Sequence, residues 1–374
     1  MTKEKTIKII KNSIAVIVIL AMFIIIFYQN RDRDLFKFGE KESSKLSALD
    51  PDAISGFSEG TSRKLGDKIA FLSTNSYSIH SQDASYKTVN IAFTKPILHT
   101  ESNYAVCYEY ESKQLYVFKD DNELYTVTTD NRIFLAKVNA SGYLFVATEK
   151  DGYNCECRVY NNNGEAIFKW DISKSELLDG DLDYNSETIV LSLASSGNNE
   201  LVGKIMLIDI STAKIIKETS YNATMFFSVD FNNNATFVAL GNKCLKYYNS
   251  DGTEKWTYNF DGKKLLTADV TNHNAMALVV NEPNDILEVN KSEVIILSKL
   301  GEVIGKKTYE NKVESISVGD SCIAVAFDKN IYLNNSKMKE QKVIKCEYNI
   351  KKISLFNDDS HVFVLGSSKG KVLK

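Results

Sequence analysis

The sequence predicts an all-β fold, a β-propeller that follows a single transmembrane helix at the N-terminus. Short runs rich in Val, Ile, Tyr, Phe and Thr, bounded by turn residues, follow one another from about residue 68 to the C-terminus. Hairpin-turn signals recur among them at intervals of about 39 to about 49 residues, the length of one four-stranded propeller blade. No long amphipathic helical pattern interrupts the strands. A repeated four-stranded unit without helices is therefore the predicted architecture.

The N-terminal segment is predicted to be a membrane anchor. Fifteen consecutive apolar or aromatic residues run from Ile14 to Tyr28. With flanking residues the stretch reaches about 20 residues, which spans about 30 Å of hydrocarbon. The run ends in aromatic residues and not in the small residues of a signal-peptidase site, so we expect it to stay uncleaved. We assign residues 1–12 to a cytoplasmic tail and residues 13–28 to a transmembrane signal-anchor helix.

The positive charges beside this helix predict its orientation. Four lysines precede it, and Arg31, Arg33, Lys37 and Lys41 follow it, so the counts on the two sides are equal. A short tail that carries four lysines is costly to translocate, which favours a cytoplasmic N-terminus. We therefore expect a single-pass protein of the cell membrane with its large C-terminal part outside the cytoplasm.

Composition separates a linker from the folded domain. Residues 29–67 are rich in charge, Ser and Gly and show no sustained apolar stripe, so they are predicted to form a polar linker, and residues 68–374 the propeller. The whole chain is 44% hydrophobic and 25% charged, as globular proteins are. Its net charge of −3 and scattered lysines provide no basic patch, which argues against a nucleic-acid partner.

Three segments align in detail: CRVYNNNGEAIFKWDI, LKYYNSDGTEKWTYNF and MLIDISTAKIIKETSY. Each has a strand that ends in a polar turn, a small turn residue, and a second strand that carries Trp170, Trp256 or Ile216. On this period, six four-stranded units lie between about Pro96 and Asn349. The segments before and after them supply about three strands each and must lie side by side to close the ring. Dividing the length by about 43 residues per blade predicts seven blades, and the strand count allows eight as the alternative.

The repeats VYNNNGEAIFKW and YYNSDGTEKWTY resemble those of WD-repeat and quinoprotein-like propellers. The layout of anchor and propeller resembles a family of uncharacterised membrane-anchored propellers from low-GC Gram-positive bacteria. This resemblance implies a fold far more than a function. Quinone-dependent enzymes have more regular Trp motifs and often adjacent cysteines, whereas this chain has two Trp and no adjacent cysteine pair. We therefore predict no cofactor.

No catalytic residues are predicted. The chain contains no nucleophile elbow, Walker loop, HExxH motif or dinucleotide fingerprint. The four histidines, His80, His99, His273 and His361, are isolated in sequence, which is typical of structural or surface histidines. The protein is therefore not expected to be an enzyme.

One acidic segment is a candidate calcium site. Asp179, Asp181 and Asp183 stand at alternate positions, as the carboxylates of a calcium loop do. The segment departs from an EF-hand loop, because Tyr184 stands where Gly is required and Val190 where the bidentate Glu should be. A propeller offers the other interpretation, in which an innermost strand directs polar side chains toward the axial channel.

The six cysteines show no CxxC pair and are predicted to be small buried hydrophobic residues. Cys155 and Cys157 would point to one face of a strand, where a two-ligand metal site is conceivable. In an oxidising environment Cys322 and Cys346 could pair within one sheet.

The function predicted from these features is that of a protein-binding or scaffolding module, held at the cell envelope by its membrane anchor. Its partners would be the membrane and an envelope or membrane protein. The alternative is an envelope lyase or hydrolase with an active site in the axial funnel of the propeller, which would need convergent carboxylates or a partnered histidine there.

Overall fold

Eight antiparallel sheets are arranged as the blades of a closed ring. The computed structural model describes residues 60–374 except 198–199, 234, 271, 273–274, 283–290 and 368–369. The predicted cytoplasmic tail, the transmembrane segment, residues 29–59 of the linker and His273 lie outside the described residues. Within the part of the chain that is described, no helix is long and apolar enough to cross a bilayer.

Each blade is a meander in which every strand pairs with the next along the chain. Blade 1 contains β1 (Gly60–Leu65), β2 (Lys68–Ser73), β3 (Ser76–His80) and β4 (Tyr86–Asn90). Blade 2 contains β5 (Pro96–Glu101), β6 (Tyr104–Glu109), β7 (Gln114–Lys119) and β8 (Asn122–Thr128). Blade 3 contains β9 (Ile133–Val138), β10 (Leu144–Lys150), β11 (Tyr153–Tyr160) and β12 (Ala166–Ile172). Blade 4 contains β13 (Glu176–Leu182), β14 (Thr188–Gly197), β15 (Glu200–Asp209) and β16 (Lys214–Asn222).

The second half of the ring repeats this plan. Blade 5 contains β17 (Phe226–Asn233), β18 (Thr236–Gly241), β19 (Cys244–Asn249) and β20 (Glu254–Asn259). Blade 6 contains β21 (Lys264–Asp269), β22 (Ala275–Asn281), β23 (Ser292–Ser298) and β24 (Val303–Tyr309). Blade 7 contains β25 (Ser315–Val318), β26 (Cys322–Phe327), β27 (Asn330–Asn335) and β28 (Glu340–Lys345). Blade 8 has three strands among the described residues, β29 (Lys352–Leu355), β30 (Val362–Leu365) and β31 (Gly370–Leu373).

The β-propeller prediction is confirmed, with the alternative count of eight blades in place of the favoured seven. The two terminal segments are separate blades and not two parts of one. The count of seven came from dividing the length by about 43 residues per blade, but blade 8 has only three strands among the described residues. In addition, β1 was not recognised, because its sequence GTSRKL is polar enough to resemble the linker. The ring therefore includes residues 60–67, which composition had assigned to the linker.

Burial is highest at the second strand of a blade and lowest at the outermost strand, and this explains the sequence of each strand. The second strand of a blade has sheet neighbours on both sides and other blades against both faces, so strands such as β18 (TFVALG) and β26 (CIAVAF) are buried throughout. The outermost strands β4 and β16 are mostly exposed and carry Lys, Thr and Ser. The hydrophobic core is thus a chain of clusters between neighbouring blades.

The ring closes between blades 1 and 8. Ile69 and Phe71 of β2 share a core cluster with Phe356 and Phe363 of blade 8. At the inner edge, the Oγ atoms of Ser62 and Ser354 are 3.4 Å apart. These contacts bring together two segments that are almost 300 residues apart in sequence.

The predicted hairpin turns all connect the third strand of a blade to the fourth, at the same position in blades 2 to 6. In blade 6, Gly301 has a φ of +83°, and its backbone lies against the ring of Trp256 in blade 5. The Nε1 of Trp256 donates a hydrogen bond of 3.1 Å to the carbonyl oxygen of Lys299 in the same turn. Glycine is required there because a side chain would meet the indole and because L-residues rarely adopt this φ. The turn of one blade thus docks on the outermost strand of the blade before it.

Candidate functional site

Polar side chains line the inner edge of the ring, where the innermost strand of each blade has one edge without a neighbouring strand. Side chains of the preceding blade accept hydrogen bonds from its backbone N–H groups. An Oδ2 of Asp179 accepts from the N–H of Val229 at 2.9 Å, and an Oδ2 of Asp181 accepts from Phe231 at 2.8 Å. The same contact recurs from Val138 to His99, from Val318 to Asp269, from Ile353 to Ser315 and from Leu355 to Ser317.

A buried lysine joins three blades at this edge. Lys137 of β9 donates hydrogen bonds to Asp179 Oδ2 at 2.8 Å, to Asp230 Oδ1 at 2.9 Å and to the carbonyl oxygen of Val229 at 3.1 Å. The Lys137 side chain is 9% exposed and that of Asp179 7%. We call Lys137, Asp179, Asp181, Asp230 and His99 the axial cluster.

The electrostatics of the axial cluster follow from burial and from the single lysine. Burial opposes the charged form of Lys137, but Asp179 and Asp230 raise its pKa above the usual value. Burial raises the pKa of Asp179 to about 6, and it raises that of Asp181 well above the usual value. Burial, together with the nearby lysine, lowers the pKa of His99 to about 3. At neutral pH the histidine is therefore uncharged, and Lys137 is the cation that balances Asp179 and Asp230.

The structure places the candidate calcium residues on β13 and in the turn after it, but gives each carboxylate a protein donor. Asp179 and Asp181 accept the backbone hydrogen bonds already described. Asp183 Oδ1 accepts from the N–H groups of Glu187 at 2.7 Å and Thr188 at 2.9 Å, which closes the turn. In the described part of the chain, no group of three or more His, Cys, Asp or Glu side chains is arranged to hold a metal ion.

The geometry of the axial cluster suits a structural link between blades better than it suits catalysis. Its carboxylates converge, as an active site would require, but Asp179, Asp181 and Lys137 are buried and engaged with one another or with backbone groups. The alternating aspartates of β13 predicted polar side chains at this strand, but nothing in that pattern predicted Lys137 and Asp230 beside them. The available signal was a lone lysine within the apolar run IFLAKV of β9.

All six cysteines are buried and unpaired. Cys322 lies opposite Asn335 at one end of β26, whereas the N–H of Cys346 bonds to the carbonyl oxygen of Lys329 near the other end of the sheet. The strand register therefore separates the two residues that were considered as a pair. Cys155 and Cys157 lie on one face of β11, as predicted, and both belong to the core between blades 3 and 4.

The two faces of the ring differ in charge. In each meander, the turns from first to second and from third to fourth strand lie on one face, which we call the turn face. The turns from second to third strand and the connections between blades lie on the other, the connector face. The turn-face loops of the described residues carry twelve carboxylates and three lysines: Asp67, Asp83, Asp120, Asp121, Glu165, Asp183, Glu187, Asp251, Glu302, Asp320, Asp358, Asp359, Lys299, Lys337 and Lys339.

The connector face is balanced by comparison. Its described loops carry nine carboxylates and ten basic side chains: Glu111, Asp130, Asp151, Asp261, Glu282, Glu310, Glu314, Asp328, Glu347, Lys95, Lys113, Arg132, Lys174, Lys243, Lys263, Lys291, Lys312, Lys329 and Lys351. The turn face is therefore the acidic side of the ring.

Exposed apolar side chains concentrate at the outer edge of the same face. Of the ten large hydrophobic residues that are exposed in the described part of the chain, seven lie in a third-to-fourth turn or in the first three residues of a fourth strand. We call them the apolar rim: Tyr86, Leu124, Ile167, Ile215, Ile216, Leu300 and Val303.

The most exposed member of the apolar rim stands on a rigid support. Leu300 is 67% exposed and lies in the turn that docks on Trp256. The indole of Trp256 stacks in turn on Tyr247, with ring centroids 5.2 Å apart and planes 1° from parallel. Leu300 is thus presented to solvent by a turn that is held in place by hydrogen bonding and aromatic packing.

Comparison with protein families gives one match. Residues 53–374 match the model of a group described as "Family of unknown function (DUF5711)". No curated protein matches the chain.

Solved structures share the fold. BamB from Moraxella catarrhalis superposes with a TM-score of 0.54 and 12% identity, over 86% of this chain and 95% of that one. The C-terminal WD40 domain of Sif2 superposes with a TM-score of 0.56 and 10% identity, over 85% of this chain and 97% of that one. At these identities the likeness shows the fold alone.

Proposed function

The chain belongs to the DUF5711 family of unknown function, and from that premise we propose that it is a membrane-anchored, extracytoplasmic β-propeller that binds a protein partner at the cell envelope. The observation that carries this proposal is the apolar rim on the turn face. Single exposed hydrophobic residues are ordinary on a protein surface, but here seven of the ten lie at or just after the third-to-fourth turn, in blades 1 to 4 and in blade 6. Aliphatic and aromatic side chains in that arrangement fit the core of a protein interface.

A rigid ring suits a scaffold. The second strand of each blade is buried, and Lys137 and the backbone-accepting carboxylates join neighbouring blades at the axis. A partner that docks on the turn face therefore meets a preformed surface and orders few side chains on this protein, which lowers the entropic cost of association.

The membrane anchor completes the proposal. The apolar run from Ile14 to Tyr28 would confine the propeller to the membrane surface, so that a membrane-bound partner meets it at raised effective concentration. The composition and the resemblance to anchored propellers of low-GC Gram-positive bacteria support a bacterial envelope as the place of action.

Copurification with rim variants tests the proposal. The full chain, solubilised from its native membrane after crosslinking, should recover a specific partner, and Ile216→Asp together with Leu300→Asp should abolish the recovery. Tyr110→Asp together with Tyr153→Asp replaces two exposed hydrophobic residues on the connector face, which are 43% and 45% exposed against 47% for Ile216 and 67% for Leu300, and should leave recovery unchanged. Equal recovery with both double variants, or no specific partner with the unaltered chain, would contradict the proposal.

Catalysis in the axial channel is the second candidate, because carboxylates of blades 4 and 5 do converge there. It ranks second because Asp179 and Asp181 are almost fully buried and because both accept backbone hydrogen bonds. A hydrolase or lyase of this kind should release product from envelope glycans or peptides and should lose that activity in Asp181→Asn with its fold intact. Absence of any such activity in the purified chain would remove this candidate.

A further inference from the structure

A cleft opens on the turn face between the first and last blades. It is an open, shallow depression of about 490 Å³, large enough for a side chain of a partner. The side chains that line it come from two turns of blade 1 and one turn of blade 8: Asp67, Lys68, Ser81, Gln82, Asp83 and His361. We call it the seam cleft.

The two basic side chains of the seam cleft already have carboxylate partners outside its lining. The Lys68 Nζ lies 3.3 Å from Asp120 Oδ1 in blade 2. The His361 Nδ1 is hydrogen-bonded to Asp358 Oδ2.

The two carboxylates of the cleft form no ion pair within the described part of the chain, since Lys68 is paired with Asp120. Asp67 is exposed and makes no ion pair there. Asp83 accepts a hydrogen bond of 3.0 Å from the N–H of Ser85, and no lysine or arginine is paired with it. The lining therefore offers two uncompensated carboxylates beside acceptor atoms of Ser81 and Gln82.

From this lining we propose that the seam cleft binds an arginine side chain of the protein partner. Guanidinium is planar, carries five N–H donors and fits carboxylates in a bidentate manner, so it matches a cleft that is rich in acceptors. The acidic turn face supports the assignment, because its field attracts a basic polypeptide before contact. The inference rests on the proposed function, since it names the chemistry by which that partner is recognised.

Ligand-observed saturation-transfer NMR with the full chain in detergent tests the proposal. The probe is acetyl-Gly-Arg-Gly-amide, compared with the citrulline peptide, which keeps the shape and lacks the charge, and with the lysine peptide. We expect saturable binding of the arginine peptide with a Kd below about 10 mM, at least tenfold weaker binding of citrulline, and several-fold weaker binding of lysine. No saturable binding of the arginine peptide, or equal binding of all three, would overturn the proposal.

Matched variants locate the binding site. Asp67→Asn together with Asp83→Asn should weaken arginine binding at least tenfold. The control, Asp251→Asn together with Glu165→Gln, removes two charges from turn-face loops of blades 5 and 3. Asp251 is matched to Asp83, because it accepts a hydrogen bond of 2.8 Å from the N–H of Thr253 as Asp83 does from the N–H of Ser85. This control should change the Kd less than twofold, and an equal loss in both doubles would refute the site. Asp67→Asn alone, at a residue without a described hydrogen bond, should still weaken binding and guards against a folding defect.

The test of the seam cleft can fail independently of the test of the proposed function. Ile216→Asp with Leu300→Asp should abolish recovery of the partner and leave arginine-peptide binding unchanged. If the peptide fails to bind while rim-dependent recovery persists, the seam-cleft proposal falls and the proposed function stands.

Discussion

At the residue scale, the axial cluster shows how one side chain can set the electrostatics of a channel. Lys137 is the cation that balances Asp179 and Asp230, and all three are held by short, directed contacts. Sequence analysis predicted the polar character of β13 from alternating aspartates, but Lys137 and Asp230 are far from it in sequence and only the closed ring brings them together. Such contacts depend on how the blades are arranged in space. The residue pattern of a single strand carries no information about that arrangement.

Removing the Lys137 side chain should lower the stability of the fold. We expect Lys137→Met to lower the free energy of unfolding by about 3–5 kcal/mol at pH 7, because Asp179 and Asp230 lose their cation in a buried place. The loss should shrink as the pH falls, since protonation of the carboxylates removes the unpaired charge. Chemical denaturation at pH 7 and pH 5 measures both effects.

The control for that variant is an exposed ion pair. Lys87 lies 2.9 Å from Asp121 but is 73% exposed, so Lys87→Met should leave the free energy of unfolding almost unchanged. Equal losses for the two substitutions would contradict the role given to Lys137.

A buried histidine should make stability depend on pH. Burial lowers the pKa of His80 from 6.5 to about 4, between the rings of Tyr86 and Phe363. The unfolded chain then binds more protons than the folded chain between these two values. Stability should therefore fall as the pH drops from 6.5 toward 4, by up to about 1.4 kcal/mol per pH unit from this residue.

The variant His80→Gln isolates this contribution. The difference in unfolding free energy between the unaltered chain and His80→Gln, measured from pH 7 to pH 4.5, should slope downward toward acid. His99 is present in both proteins and cancels. A difference that stays flat across this range would show that His80 titrates normally when folded.

At the scale of elements, the fold is predictable where a local pattern determines the structure and unpredictable where position in the ring does. The hairpin turns at Gly164, Gly252 and Gly301 were predicted correctly because glycine there meets a local demand for positive φ. Strand β1 was not predicted because its sequence, GTSRKL, has no strand-like pattern. It becomes an innermost strand because it packs between β29 and β5 in the closed ring. The count of seven blades also relied on a uniform blade length of about 43 residues, which the three-stranded blade 8 does not reach.

Docking of a turn on the preceding blade should contribute measurably to stability. In Gly301→Ala the new Cβ would lie 2.7 Å from Cδ2 of Trp256, at a φ of +83°. Gly262→Ala has nearly the same φ, +81°, with nothing within 4 Å. We expect Gly262→Ala to cost about 1 kcal/mol from backbone strain alone and Gly301→Ala roughly 1–3 kcal/mol more from overpacking.

Denaturant titration of the two glycine variants gives the comparison, and Trp256 fluorescence reports on the docking itself. Only Gly301→Ala should shift the emission of this residue. If both variants lose the same stability, then backbone conformation matters at Gly301 and its contact with Trp256 does not.

At the scale of the whole molecule, closure of the ring makes the eight blades one cooperative unit. Blade 8 covers Ile69 and Phe71 of blade 1, and it shares a second core cluster with blade 7. Truncation after Asn349 would expose both clusters, so we expect the cooperative unfolding transition to be lost. Truncation after Leu373 should leave it intact. A chain without blade 8 that still unfolds in one transition near the original midpoint would contradict the need for closure.

The same closure gives the molecule two unlike faces, and the central claim is that the turn face meets a protein partner. Site-specific photocrosslinking in intact cells tests it most directly, with a photoreactive amino acid at Leu300 or Ile216 on the turn face and at Tyr110 or Tyr153 on the connector face. We expect one discrete crosslinked product from the turn-face positions and none from the connector face. Crosslinks from the connector face alone, or equal crosslinking from both faces, would contradict it.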